Sequence, residues 1–171
     1  MVELNMRNVT LMALTASCFL QLGGQLFALA VIVSTILEAP PRSFAILAGD
    51  YPYDSSAFWE TLPPITAILF LIALIANWKT ARRNLVLAAL GFFVLGGVLA
   101  GFLLEPEFAK VIETGYRDAV DSELQGSAKR LYALDWAVWS VTLMSGIALL
   151  LALATPAGPQ TSKQLHGTTS K

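Results

Sequence analysis

Four long apolar runs, separated by stretches that hold nearly all the charge, set the pattern of this chain. The first carries no charged residue from Asn8 to Leu37, between Arg7 and Glu38. The second covers about 62–78, with Phe58 and Trp59 ahead of it, and the third runs from about 85 to 104, closed by Glu105 and Pro106. The fourth covers about 136–154 and ends at Thr155-Pro156-Ala157-Gly158-Pro159. About 20 apolar residues in a helix cross the hydrocarbon core. Backbone polar groups cannot stay unpaired in lipid, so runs of this length are predicted helices. The expected fold is an all-α membrane protein, a four-transmembrane-helix antiparallel bundle with spans at about 9–37, 62–78, 85–104 and 136–154. One transmembrane domain, 1–156, is expected to be followed by a disordered cytoplasmic tail, 157–171, rich in Thr, Ser and Lys.

A secretory leader is the competing reading of the start, with Arg7 ahead of the apolar run and Ala28-Leu29-Ala30 resembling a cleavage site. The run is too long for one and continues through Val31-Ile32-Val33, so it is read as a retained span.

The linkers orient the spans. Lys79, Arg82 and Arg83 lie between spans two and three with no acidic residue, which marks that loop as cytoplasmic. Both termini are then cytoplasmic, the protein is a multi-pass protein of the cell membrane, and eleven of the twelve acidic residues fall outside. The first outer loop reads as an irregular cap with one apolar piece, Phe44 to Ala48. In the second, from Pro106 to Tyr132, apolar residues recur at helical spacing among charges. An additional amphipathic helix is expected there, broken near Gly115 or Gly126, lying over the bundle or continuing a span outward.

Composition narrows the chemistry. Apolar residues make up 56% and charged residues 13%, about half the charged share of soluble proteins. A net charge of −1 with no basic run argues against nucleic acid. The lone cysteine, Cys18, excludes an internal disulfide or a CxxC centre, and the only histidine, His166, lies in the tail. No metal site and no cofactor are expected.

Within the spans, Ser17, Gln21 and Gln25 are spaced four apart on one helix face, beside Gly23-Gly24. Buried amides need partners, so this face turns to the bundle, either as interhelical glue or as the lining of a ligand cavity. Gly97 and Gly101 form a small-xxx-small pair, read as a packing seam within the bundle in preference to a dimer face. Each span has a carboxylate at its outer end: Glu38, Glu60, Glu105 and Asp135. Glu60 and Asp135 are placed at helix N-termini, where the macrodipole favours them. Together the four could ring one mouth as a cation site or a proton donor and acceptor set, or simply mark the water boundary. Trp59, Trp78, Trp136 and Trp139 fit an interfacial aromatic belt.

These features resemble the anthrone-oxygenase-like family of small four-span membrane proteins. The resemblance covers most of residues 10–155. It rests on Gly23-Gly24, the loop ending Phe58-Trp59-Glu60-Thr61-Leu62-Pro63-Pro64, Asn77-Trp78 before basic residues, Pro106, and Leu134-Asp135-Trp136. It implies a four-helix membrane bundle and, in some fungal members, oxygenation of an aromatic polyketide without a recognised metal. This chain has no histidine within its spans, a departure that removes the most obvious general base.

Two functions follow as expectations. The first is a membrane protein holding a lipid, a hydrophobic small molecule or a partner, including a second copy, in or beside the bundle, through Gln21, Gln25, Trp59 and Trp136. The second is a cofactor-independent oxidoreductase in which Glu60 or Asp135 takes a proton from an aromatic substrate. A transporter or channel is disfavoured because no charged residue falls at the middle of a span.

Overall fold

The computed structural model describes residues 6–48, 50–156 and 158. Four helices are long and apolar enough to cross a membrane: α1 (Met6–Ile36), α2 (Ser56–Asn77), α3 (Arg83–Ile112) and α4 (Ser122–Ala154). The protein is a multi-pass helical membrane protein. Its exposed surface carries large apolar side chains on every helix, among them Met12, Ile68, Leu71, Val94, Phe102 and Leu151. Such a surface would be an aggregation liability in water and is the expected one in lipid. The expected tail, apart from Gly158, lies outside the described residues.

α1 keeps to its expected span within three residues, while α2 and α4 start ahead of theirs and α3 runs on beyond its own. At 31, 30 and 33 residues, α1, α3 and α4 are about 45–50 Å long, against about 33 Å for α2 and a core of about 30 Å. α1 and α3 each pass through a π-helical turn, Ala28–Val33 and Ala100–Leu104. In α1 the wide turn is matched by Ser34 and Thr35, whose hydroxyls donate back to the carbonyls of Ala30 and Val31. In α3 it precedes Pro106, whose missing N–H withdraws the donor of the Phe102 carbonyl. Beyond it the amphipathic segment Glu105–Ile112 continues the same helix and stops at Gly115, which holds a φ of 64°. α4 starts far ahead of its apolar run, capped by Asp121, whose carboxylate accepts from the amides of Glu123 and Leu124. The charged residues of the second loop therefore extend α3 and α4.

α2 begins at Ser56, six residues ahead of the expected boundary, with the Asp54 carboxylate accepting from the Ser56 amide. That hydrogen bond holds Asp54 below the ordinary aspartate range. Pro63 and Pro64 fall inside α2, so the carbonyls of Trp59 and Glu60 have no N–H four residues on to accept.

Specific contacts fix how the helices meet. Ser17 on α1 shares a hydrogen bond with Thr66 on α2 at 2.8 Å, and Ser145 on α4 donates to the Ala89 carbonyl on α3 at 2.8 Å. Trp139 on α4 donates to the Leu22 carbonyl on α1 at 3.3 Å. At the end where α1 begins and α4 finishes, buried Arg82 donates to Asn8 Oδ1 and to the Thr155 carbonyl, both at 2.6 Å. This places both ends of the described chain on one side.

The interior holds two separate apolar clusters. One, within the membrane, is built on Leu11, Leu14, Cys18, Leu22, Phe70, Val86 and Leu149. The other lies among the helix extensions at the opposite end and contains Ile36, Leu37, Phe44, Val111, Ala128 and Leu131. Phe44 comes from a 3₁₀ segment, Arg42–Leu47, which stands where the shorter α2 contributes nothing. The two linkers on this side are tied by Asp121, whose amide donates to the Pro40 carbonyl at 3.0 Å.

The glycines sort differently from the sequence expectation. Gly97 and Gly101 have nothing within 4 Å of the position a Cβ would take, so they form no seam within the bundle. The buried face of α3 runs through Val86, Ala89 and Gly96. Gly97 is one residue, or about 100°, further round. Within α3, Gly96 is the one that admits a neighbour: a Cβ there would lie 2.6 Å from Thr142 Oγ1.

Candidate functional site

α4 buries one continuous stripe: Ala128, Leu131, Asp135, Val138, Thr142, Ser145, Leu149 and Ala152. The spacing alternates three and four, the pattern of a helix facing its partners along one seam. The hydroxyls in the stripe are satisfied. Thr142 donates to the Val138 carbonyl and Ser145 to that of Ala89. Asp135 is the one carboxyl in the stripe, 8% exposed. Among the described residues its side chain accepts no hydrogen bond and joins no ion pair.

This overturns the placement of Asp135 at a helix N-terminus. The helix starts at Ser122, so Asp135 sits well inside it, beyond the reach of terminal N–H groups. The other three outer carboxylates, Glu38, Glu60 and Glu105, are exposed. Among the described residues no group of three or more His, Cys, Asp or Glu could hold a metal ion, so the four do not form a cation ring.

The level of Asp135 along the bundle follows from its neighbours. It lies one turn before Trp139, whose indole reaches the Leu22 carbonyl, and Gln25 lies one turn after Leu22 on α1. Gln125 Nε2, a few turns further back on α4, donates to the Glu38 carbonyl, just past the end of α1. Asp135 and Gln25 thus both fall between two points where these helices are tied. Gln25 also falls on the buried register of α1, between Leu22 and Leu29, and is itself half-buried.

The remaining candidates gather at the same level. Gly24 stands against Phe58 of α2, and a Cβ there would lie 2.5 Å from the ring, so any larger residue would have to displace it. Phe58 packs edge-on against Trp59, with centroids 4.8 Å apart. Gln21 lies between Ser17, bonded to Thr66, and Gly24, on the side of α1 that meets α2. Its Oε1 is buried without a hydrogen-bond partner. Along α4, Tyr132, Trp136 and Trp139 form a file of edge-to-face rings flanking Asp135, with centroids 6.3 and 5.6 Å apart. Glu60 remains on the exposed surface of α2.

These groups occupy the layer between the two apolar clusters, and both π-helical turns begin at that layer. Wide turns of this kind recur at functional sites. The side-chain groups left without a partner there, among the described residues, are acceptors: the Asp135 carboxyl and Gln21 Oε1. Such a layer is complementary to hydrogen-bond donors set in an apolar, aromatic surround. Sequence reasoning found the residues but missed that Asp135 belongs to the buried stripe. The signal was present in the three-four spacing from Leu131 through Val138, hidden by starting the helix at the apolar run.

No protein-family model matches the chain, and no curated protein or solved structure matches it either.

Proposed function

We propose that this membrane protein binds a hydrophobic small molecule bearing a hydrogen-bond donor, in the layer between its two apolar clusters. The observation that carries the reading is the buried, unpartnered carboxyl of Asp135. An unsatisfied buried polar group costs roughly 1–3 kcal/mol. A ligand hydroxyl or amine given to Asp135 and Gln21 recovers that cost, while Trp59, Trp136 and Tyr132 cover its apolar body. The reading takes the spans as an antiparallel bundle, supported by Arg82, which joins Asn8 at the start of α1 to Thr155 just past α4, and by the ties of Leu22 to Trp139 and of Glu38 to Gln125, progressively earlier on α4. Glu105–Ile112 serves as the amphipathic helix of the outer layer. Both termini face the cytoplasm, since Lys79, Arg82 and Arg83 hold the short loop beside them.

The test is a titration with a lipophilic phenol and its methyl ether, read by tryptophan fluorescence. The phenol should bind in preference, and Asp135→Leu should erase the preference. Equal binding of the two probes to the native chain would remove the basis of the reading. Orientation is tested apart from this, in a Cys18→Ser background. Ser55→Cys should label from outside and Ala81→Cys only from inside, and the reverse pattern would overturn the topology.

A second reading, cofactor-independent oxidation of an aromatic substrate, is favoured by the same carboxyl lying beside aromatic rings. The Asp135 carboxylate would take the proton of an acidic C–H, and the electron pair left on carbon would reduce dioxygen. Purified protein given an anthrone and oxygen should then turn over, and Asp135→Asn should stop it. Unchanged turnover in Asp135→Asn, or loss only in Glu60→Gln, would sink this assignment.

A further inference from the structure

α2 and α3 are joined by a short loop and meet through Phe70 and Phe93, whose ring centroids lie 5.0 Å apart. Phe70 is fully buried, and both rings belong to the apolar cluster within the membrane. Beyond this pair, towards the Asp135 layer, α3 has no neighbour on the same side. Gly97 follows Phe93 by four residues and Gly101 follows Gly97 by four, so both glycines stay on the side of α3 that turns to α2. Both are exposed, and nothing lies within 4 Å of the position a Cβ would take at either. Gly96, one residue round the helix, is closed by Thr142 of α4, so the open space is on the α2 side. On α2, Ala67 and Pro63 stand one and two turns ahead of Phe70 on the matching side, both half-buried. The two helices thus leave a cleft with small residues on each wall, floored by the phenylalanine rings.

The cleft opens at the height of the Asp135 layer. Ser145 meets Ala89 and Thr142 meets Gly96, so α4 runs against the direction of α3. Gly101, five residues beyond Gly96, is therefore level with the part of α4 between Asp135 and Val138. Asp135 lies on the face of α4 that carries Thr142 to α3, two turns further along. Its carboxyl is 8% exposed and has no partner among the described residues. An open cleft and a buried, unpaired carboxyl stand at one height, and none of the wall residues carries a charge. A body that fills such a cleft gains close apolar contact with both helices.

We propose that this cleft is the lateral doorway of the Asp135 layer, and that the ligand carries a long apolar chain, alkyl or isoprenoid. The chain lies between Gly97 and Gly101 on one side and Pro63 and Ala67 on the other, while the donor-bearing head meets Asp135. The proposal rests on the Asp135 layer being a binding site and narrows its ligand to a chain-bearing lipid drawn from the bilayer. The full chain in neutral detergent is titrated with para-dodecylphenol and with para-cresol, read by tryptophan fluorescence. Holding one detergent concentration cancels partition of the probes into micelles when variants are compared with the native chain. Gly97→Phe and Gly101→Phe fill the cleft, and each should lower the preference for the long-chain probe about tenfold, the usual penalty for forcing a ring into occupied space. Gly91→Phe also faces open space, but stands nearer the start of α3 than Phe93 and should leave the preference as it is. An unchanged preference in both Gly97→Phe and Gly101→Phe, or an equal fall in Gly91→Phe, would overturn the doorway and leave the Asp135 layer standing as a site. Failure of the native chain to bind either probe would overturn the reading of that layer, and the doorway with it.

Discussion

Replacing Asp135 with leucine tests whether the carboxyl is there for the fold or for something the fold binds. The side chain is 8% exposed and stands between Leu131 and Val138, themselves 3% and 1% exposed, in the buried stripe of α4. With no partner among the described residues, it leaves a desolvation cost of roughly 1–3 kcal/mol uncompensated. Leucine removes that cost and adds apolar contact, against an overpacking penalty of about 1–3 kcal/mol that partial relaxation reduces. The net expectation is stabilisation by about 1–2 kcal/mol, or roughly 2–8 °C in Tm for a chain of this size. Asp135→Asn keeps the shape and the orphaned polar group, so it should change stability by less than about 1 kcal/mol. Cys18, the lone cysteine and 1% exposed, provides the assay. A thiol-reactive dye labels it only when the helices part, so the heating curve in detergent reads opening of the membrane core. A leucine variant that melts below the native chain would refute the reasoning, because it would show that the carboxyl holds the helices together.

Three further expectations are independent of that site. Gly96→Val should destabilise by about 1–3 kcal/mol through the clash with Thr142. Thr142→Ala should recover part of that loss, while Gly97→Val and Gly101→Val, facing open space, should be nearly neutral in the same melting assay. Arg82→Leu should cost about 3–5 kcal/mol by removing two short charge-assisted bonds that join the starts of α1 and α3 to the end of α4. Earlier exchange of the amides of α1 near Asn8 should accompany it, and intact protection there would contradict the assigned tie. The Asp54 pKa is held down, so its capping contribution is present above the ordinary aspartate range and lost as pH falls through the lowered value. Hydrogen exchange at residues 56–59 should therefore show extra opening on acidification, corrected for intrinsic rate. Asp54→Asn should remove most of that acid-dependent part.

Hydropathy alone was enough to read the four spans, because lipid leaves no other way to satisfy a long apolar backbone. Their ends were not legible by the same rule. The extensions of α3 and α4 are polar outside and apolar inside, so a search for uncharged runs stopped at Leu104 and began at Trp136. Pro63 and Pro64 are the eighth and ninth residues of α2, past its first turn, so the helix runs through them at the loss of two hydrogen bonds and starts earlier than the apolar run suggests. The second apolar cluster could not be foreseen, since it draws Phe44, Val111 and Leu131 from three distant segments. Of the candidate site, Gln21, Gln25, Trp59 and Trp136 were found from type and spacing. The setting of Asp135 depended on where α4 starts, and Asp121 decides that by capping it fourteen residues earlier than the apolar run suggests.

The central claim is that the layer around Asp135 holds a hydrophobic donor-bearing molecule. Its most direct test is to extract the protein gently from its own membrane and analyse by mass spectrometry what remains bound, beside Asp135→Leu prepared identically. The native chain should carry a stoichiometric apolar compound with a hydroxyl or amine group, and the variant should not. An empty native chain, or the same compound retained equally by the leucine variant, would contradict the account.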